Sequence, residues 1–260
     1  MTAPADLLPV AEAAARTAGA LLRERFEEGA ERRVHSKSTP TDLASAADLA
    51  AEEAIRGLLA ERRPDDAILA EEGGGDQEVE PGRVRWVVDP LDGTINFLFR
   101  IPQWCVSVAC EDERGTLAGV VFDPLRDELF AATLDGPATL NGEPLEAAEP
   151  RPLPEAMVVT GFAYDAEVRA RQAEIVAALV PRVRDVRRMG SAALDLAWLA
   201  AGRYDAYFER TVKLWDVAAG SLLCERVGLE VRDLPARDGL PYGVAAGRGA
   251  LLDELSAFRL

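Results

Sequence analysis

Two carboxylates three residues apart, Asp89 and Asp92, stand where an apolar run ends in a turn. Trp86–Val88 reads as a buried strand, Pro90 denies it further ladder bonds, and Gly93 completes the turn. Acidic groups delivered together at a strand end could share divalent cations, with the Leu91 carbonyl as a further oxygen ligand. Gly93 and Thr94 could present amides to a phosphate at the start of a short helix. The same string is also good turn chemistry, so taken alone it leaves a plain Asx turn open. Three more acidic positions invite the same question. Glu71 and Glu72 end the run 67–70 and precede three glycines, where a solvated edge is the ordinary reading. Asp216 follows Trp215 at the head of an apolar helix, where a helix cap is the ordinary reading. Asp48 lies inside a helical stretch, where a surface carboxylate is the ordinary reading.

Composition narrows the chemistry. The 260 residues hold 29 Lys and Arg against 45 Asp and Glu, a net charge of −16. Such an acidic chain disfavours general nucleic-acid binding, which needs clustered cations. The single histidine, His35, must serve any Ser-His-Asp triad or His-ligated zinc site, whereas abundant carboxylates favour hard cations such as magnesium, calcium or manganese. A phosphate group approaching this charge is repelled unless cations join the site. Three cysteines, Cys105, Cys110 and Cys224, form no CxxC pair and read as buried thiols in a reducing compartment. No apolar run reaches about 18 residues, and the first residues lack a basic segment followed by an unbroken apolar one. The expectation is a soluble cytoplasmic protein with no membrane partner.

The elements must bring these residues together. Leu7, Val10, Ala14, Ala18, Leu22 and Phe26 define one helix face, with Gly29 as its stop. Residues 31–41 read as a loop, and a second helix is predicted from Thr41 or Asp42 to Pro64. Short apolar runs then predict strands at 67–70, 84–88, 106–109, 117–122 and 128–132. The Pro- and Glu-rich stretch 141–155 is the best candidate for a join between lobes. Beyond it, strands near 157–160, 183–187, 205–209, 229–232 and 243–246 interleave with helices at 166–180, 191–201 and from Trp215 or Asp216 to Val227, an α/β pattern. Trp104, Trp198, Tyr204, Tyr207 and Phe208 read as core or subunit interface. Arg187 and Arg188 read equally as anion contacts or a solvated strand end.

In combination these segments resemble the inositol monophosphatase family, among the magnesium-dependent, lithium-sensitive sugar phosphatases. Its first signature, W-x-[VI]-D-P-[IL]-D-G-T-x-N-F, is matched from Trp86 to Phe97, and its second, W-D-x-A-[AG]-[GA], from Trp215 to Gly220. Gly190–Leu196, Ala201–Glu209, the stretch from Lys37 to Asp42 with Asp48, and Glu71-Glu72 fall in the family's order. The resemblance implies an α+β fold, a layered α-β-α-β-α sandwich. It implies two lobes, about 1–145 with most metal ligands and about 146–260 with the substrate side and Asp216, joined at a cleft. It implies that Glu71, Asp89 and the Leu91 carbonyl hold one magnesium, that Asp89, Asp92 and Asp216 hold a second, and that a looser third sits near Glu71. Thr94 and Asp48 would activate the attacking water. Asp92, Gly93 and Thr94 would face the phosphate, while Gly190, Ser191, Ala192, Glu209 and Asp216 would meet the substrate and Lys37 would close over it from a loop. The implied activity is Mg2+-dependent hydrolysis of a small phosphate monoester, first myo-inositol 1-phosphate, with histidinol phosphate, fructose 1,6-bisphosphate and 3′-phosphoadenosine 5′-phosphate as alternatives. A homodimer is the family expectation, and a regulatory scaffold of the same fold is the rival of another class.

Overall fold

Leu7, Ala11, Ala14, Ala18 and Leu22 recur at three- and four-residue intervals and are all buried along α1 (Pro4–Glu28). Gly29 closes that helix with a φ of +69°, its N–H donating to the Arg25 carbonyl. The computed structural model describes residues 3–29, 34–36, 43–75, 79, 81–146 and 148–260, with the side chains of 34–36 and 43–45 excepted. The expected loop at 31–41 and the expected helix start both need correction. Val34–Ser36 (β1) pairs antiparallel with Leu43–Ser45 (β2), so the backbone there is committed to a ladder, and α2 begins only at Ala46 and ends at Arg62. Thr41 and Asp42 lie outside the described residues.

The chain continues through β3 (Ala67–Ala70), β4 (Gly74–Gly75), β5 (Arg85–Asp92), the short α3 (Thr94–Leu98), β6 (Cys105–Asp112), β7 (Gly115–Asp123), β8 (Glu128–Thr133), β9 (Thr139–Leu140) and β10 (Glu143–Pro144). It then forms β11 (Met157–Thr160), α4 (Ala166–Leu179), β12 (Asp185–Arg187), α5 (Ala192–Ala200), β13 (Ala206–Arg210), α6 (Leu214–Arg226), β14 (Glu230–Leu234), β15 (Gly243–Gly247) and α7 (Gly249–Ser256). The first sheet has the order β10-β9-β8-β7-β6-β5-β3-β4, antiparallel except for the parallel β3–β5 pair. The second has the order β12-β11-β13-β15-β14, parallel as far as β13 and antiparallel beyond it. β5 outruns its expected end: Pro90 interrupts the ladder between Asp89 and Asp92, and pairing with β6 resumes at Cys105. The small strands β9 and β10 and the helix α7 went unforeseen; a two-residue strand carries no readable period.

Side-chain alternation sorts the layers. On β5, Trp86 and Val88 enter the core under α1 and α2, while Val87 faces α5 and α6. On the second sheet, Val159 and Tyr207 join that same α5–α6 core, while Val158 and Phe208 pack with Leu179 of α4 and with Leu251, Leu252 and Leu255 of α7. The order is therefore helices, sheet, helices, sheet, helices, the α+β sandwich expected. Among the described residues no helix is long and apolar enough to cross a membrane.

α6, which carries Asp216, lies so close on the first sheet that a Cβ at Gly119 of β7 would sit 2.8 Å from the Ala219 Cα. Neither backbone can yield cheaply, so Gly119→Ala should cost about 2 kcal/mol in urea unfolding, the range of core overpacking. A neutral Gly119→Ala would mean that the middle helix layer is looser than this packing.

Candidate active site

Asp89 leaves β5 almost fully buried, and its Oδ1 accepts the Leu91 N–H at 3.0 Å. The Asx turn foreseen for this string thus exists, and it orients the carboxylate. Glu71 follows β3, and its N–H donates to the Val88 carbonyl at 3.1 Å, so the parallel β3–β5 pairing brings it alongside Asp89. Asp92 is turned toward the start of α5: its Oδ2 accepts from Ser191 Oγ and from the Ala193 N–H, both at 2.7 Å. Asp216 is not the N-cap that its place suggested: α6 starts earlier with Lys213 at the cap, and Asp216, at the third helical position, accepts the Lys213 N–H at 2.7 Å in a capping box. Glu71, Asp89, Asp92 and Asp216 face one cavity of about 460 Å³ together with Leu91, Gly93 and Thr94.

Electrostatics shows what this gathering lacks. Burial, then the negative charges of Glu71, Asp92 and Asp216, push the Asp89 carboxyl well above the usual carboxylate range. Asp216 rises strongly for the same reasons, burial first and then Asp92 and Glu71. Asp92 rises through burial, held down in part by Ser191 and the α5 amides. Desolvated like charges are costly unless a cation joins them. Among the described residues no group of three or more Asp, Glu, His or Cys side chains is gathered closely enough to hold a metal ion by itself. Four carboxylates and Leu91 nonetheless line one cavity, and Mg2+, which keeps several of its waters, needs few protein ligands. Hard carboxylate oxygens with the Leu91 carbonyl fit Mg2+ on that count.

Thr94 Oγ1 lies 2.8 Å from Asp48 Oδ1 and 3.1 Å from the Leu91 carbonyl. With one proton and two acceptors behind it, the hydroxyl can turn its lone pairs to the cavity and accept from a water there. Asp48, far from being a surface carboxylate, is fully buried. Gly93, at φ +99°, admits no side chain, since a Cβ would meet the Gln103 carbonyl at 3.0 Å and Trp104 at 3.1 Å.

Gly190, Ala192 and Glu209 line the same cavity. Ser191 does not line it; its buried hydroxyl is engaged by Asp92. Glu209 is raised to about 7, chiefly by burial, with Arg188 and the Tyr207 hydroxyl, 3.3 Å away, opposing the rise. Arg188 and Lys213 also line the cavity, as do Phe162, Tyr164 and Trp215. Sequence left Arg188 undecided and gave no reason to choose Lys213, although it precedes the Trp215-Asp216 motif by two residues. Lys37 lies outside the described residues.

Comparison with known proteins bears directly on this arrangement: the pattern of the inositol monophosphatase family matches residues 4–257. The chain belongs to the inositol monophosphatase family. It is similar to the inositol-1-monophosphatase SuhB of Mycobacterium tuberculosis, 42% identical over 98% of this chain and 93% of that protein. It is 40% identical to the Nus factor SuhB of Escherichia coli, over 96% of this chain and 97% of that protein. The extragenic suppressor protein SuhB of Bartonella henselae superposes with a TM-score of 0.87 at 33% identity, over 96% of each chain. As a member of the inositol monophosphatase family the chain is a phosphoric monoester hydrolase.

Glu209, half-buried at the cavity, makes a pH prediction with a definite sign. Its carboxyl sits at about 7 in the fold against an ordinary 4.5, so below pH 4.5 it is protonated in both states and costs nothing. As pH rises toward 7 the unfolded chain ionises first and stability falls, by about 3 kcal/mol when complete. Glu209→Gln removes that loss. Urea unfolding in chelator should show the variant gaining on the parent by about this amount between pH 4 and 8; a difference constant with pH would count against a half-buried, ionising Glu209.

Proposed function

We propose that the protein hydrolyses a small phosphate monoester with Mg2+, two to three ions per site, and that myo-inositol 1-phosphate is the first candidate substrate. The observation that carries this reading is the convergence of Glu71, Asp89, Asp92 and Asp216 on one cavity with a Thr94 hydroxyl backed by buried Asp48. Glu71, Asp89, Asp92, Asp216 and the Leu91 carbonyl would hold the magnesium. When bound there it supplies positive charge against the ester's phosphate and lowers the pKa of water. Thr94 accepts a hydrogen bond from the attacking water, and Asp48 behind it holds the hydroxyl in that orientation and takes up proton density as the water attacks. Gly93 permits the phosphate to approach the backbone. Glu209 would meet the alcohol's hydroxyls, and Gly190 and Ala192 would leave room for its ring.

Histidinol phosphate remains the chief alternative, because a cationic ammonium would also suit Glu209; fructose 1,6-bisphosphate and 3′-phosphoadenosine 5′-phosphate follow. The two-lobe division near residue 145 and a homodimer belong to the same reading and rest on family membership. The name of the Escherichia coli relative keeps a regulatory role in view for this chain, one that would act through a macromolecular partner.

Phosphate release from the four esters, with and without Mg2+, tests the proposal. One ester should be strongly preferred. Asp48→Asn should lower kcat by about 10²-fold or more, the range of lost acid–base assistance, and Asp89→Asn should abolish turnover. If no ester is turned over while Mg2+ still raises the melting temperature, the hydrolytic reading falls and the regulatory one gains.

A further inference from the structure

Asp48 and Glu52 lie one helical turn apart on α2 and are both buried, at 0% and 4% exposure. Asp48 serves Thr94. Glu52 reaches instead to the turn that follows Glu71: its Oε2 accepts the Glu72 N–H at 2.9 Å and its Oε1 the Gly73 N–H at 3.0 Å. Arg56, the next residue on that face, donates to Glu52 Oε1 at 2.7 Å and to the Gly74 carbonyl at 2.8 Å. One carboxylate and one guanidinium thus fix three consecutive backbone units, through bonds strengthened by charge. Neither side chain is among those lining the cavity.

Gly73 records how close this approach is. A Cβ there would stand 2.5 Å from Glu52 Oε1 and 2.9 Å from Arg56 Nη2. No left-handed φ calls for glycine at this position, so the requirement is one of space for the Glu52–Arg56 pair.

A brace is needed because of what Glu71 faces. Its charge raises both Asp89 and Asp216, and the same repulsion acts back on Glu71. Asp89, Asp92 and Asp216 emerge from a strand or a helix, whereas Glu71 opens a turn between the short strands β3 and β4. Repulsion would turn that carboxylate outward unless the turn were held.

We propose that Glu52, braced by Arg56, is a positioning residue that presets the Glu71 turn for divalent-cation binding, an inference that rests on the reading of Glu71 as a cation ligand. α2 is then a ruler with two marks: Asp48 sets the water-orienting hydroxyl and Glu52 sets the cation ligand. Loss of Glu52 should weaken the cation and leave the chemistry of the loaded site close to normal, the opposite split from loss of Asp48.

The test compares Glu52→Gln, Gly73→Ala and Glu71→Gln with the parent in two assays. These are Mg2+ titration of the melting temperature, which needs no turnover, and Mg2+ dependence of phosphate release. Glu52→Gln should raise the Mg2+ concentration for half-effect about tenfold in both, within the range for residues that orient metal ligands. Its kcat at saturating Mg2+ should stay within about threefold of the parent. Gly73→Ala displaces the same carboxylate from the loop side and should move the midpoint in the same direction; it decides the matter if Glu52→Gln does not fold. A Glu52→Gln that lowers only the metal-free melting temperature, with its Mg2+ midpoint unmoved, would show a purely structural role and overturn the proposal. If Glu71→Gln shifts the midpoint while the other two variants do not, the positioning role fails and the ligand reading stands. If Glu71→Gln leaves the midpoint unchanged, the ligand reading itself fails, and the inference with it.

Discussion

Four carboxylates turned toward one desolvated cavity repel one another, and holding them there against that repulsion is the constraint on which the architecture depends. Two unit charges about 4 Å apart in an effective dielectric of about 20 oppose each other by about 4 kcal/mol. Each carboxylate is therefore tied to a different part of the frame. Asp89 is held by the Leu91 amide, Asp92 by Ser191 and the first amides of α5, and Asp216 by the backbone at the head of its own helix. Glu71 is aligned by the β3–β5 pairing, and the turn after it is gripped from α2. The anchors are mostly backbone N–H groups, which are fixed by secondary structure and cannot swing away when charge builds up.

This explains the use of five layers. The proposed cation ligands need a rigid sheet under them, and β5, flanked by β3 and β6, supplies Asp89 and Asp92. Asp216 has to arrive from the other direction, so its helix is pressed onto that sheet at Gly119 with little room to move. The opposite face of the same helix layer packs on the second sheet, which delivers Glu209 on β13. In the proposed reaction the phosphate end and the alcohol end of a substrate are thus gripped by different sheets. The α5–α6 layer sets the distance between them.

What sequence could show followed a physical rule. Asp89, Asp92 and Asp216 sit in strings whose neighbours are tightly constrained: a proline, a glycine with φ +99°, a tryptophan. The tryptophan, Trp215, lies in the first turn of α6, and such constraints leave a pattern. Glu52 and Arg56 leave none, because an acidic and a basic residue four apart on a helix are indistinguishable from an exposed pair until tertiary contacts bury one of them. Asp48 read as a surface carboxylate for the same reason, and only resemblance assigned it a role. The β1–β2 pair escaped notice since three-residue strands have too few residues for period two to show. Arg188 and Lys213 reach the cavity through the paths of the loops that carry them, which no local spacing encodes.

The alcohol side of the cavity obeys different electrostatics from the cation side. Glu209 is close enough to neutral pH in its titration to be protonated or ionised, with burial favouring the neutral form and Arg188 the charged one. A protonated carboxyl both donates and accepts, which matches neighbouring hydroxyls on a polyol; an ionised one only accepts, which matches an ammonium group. In the proposed reaction, the protonation of Glu209 would decide which alcohol suits it, without any change at the residues that would hold the cations. Substrate choice and catalysis would then be separable properties of one cavity, the first on β13 and the loop holding Arg188, the second on β5, α2 and α6.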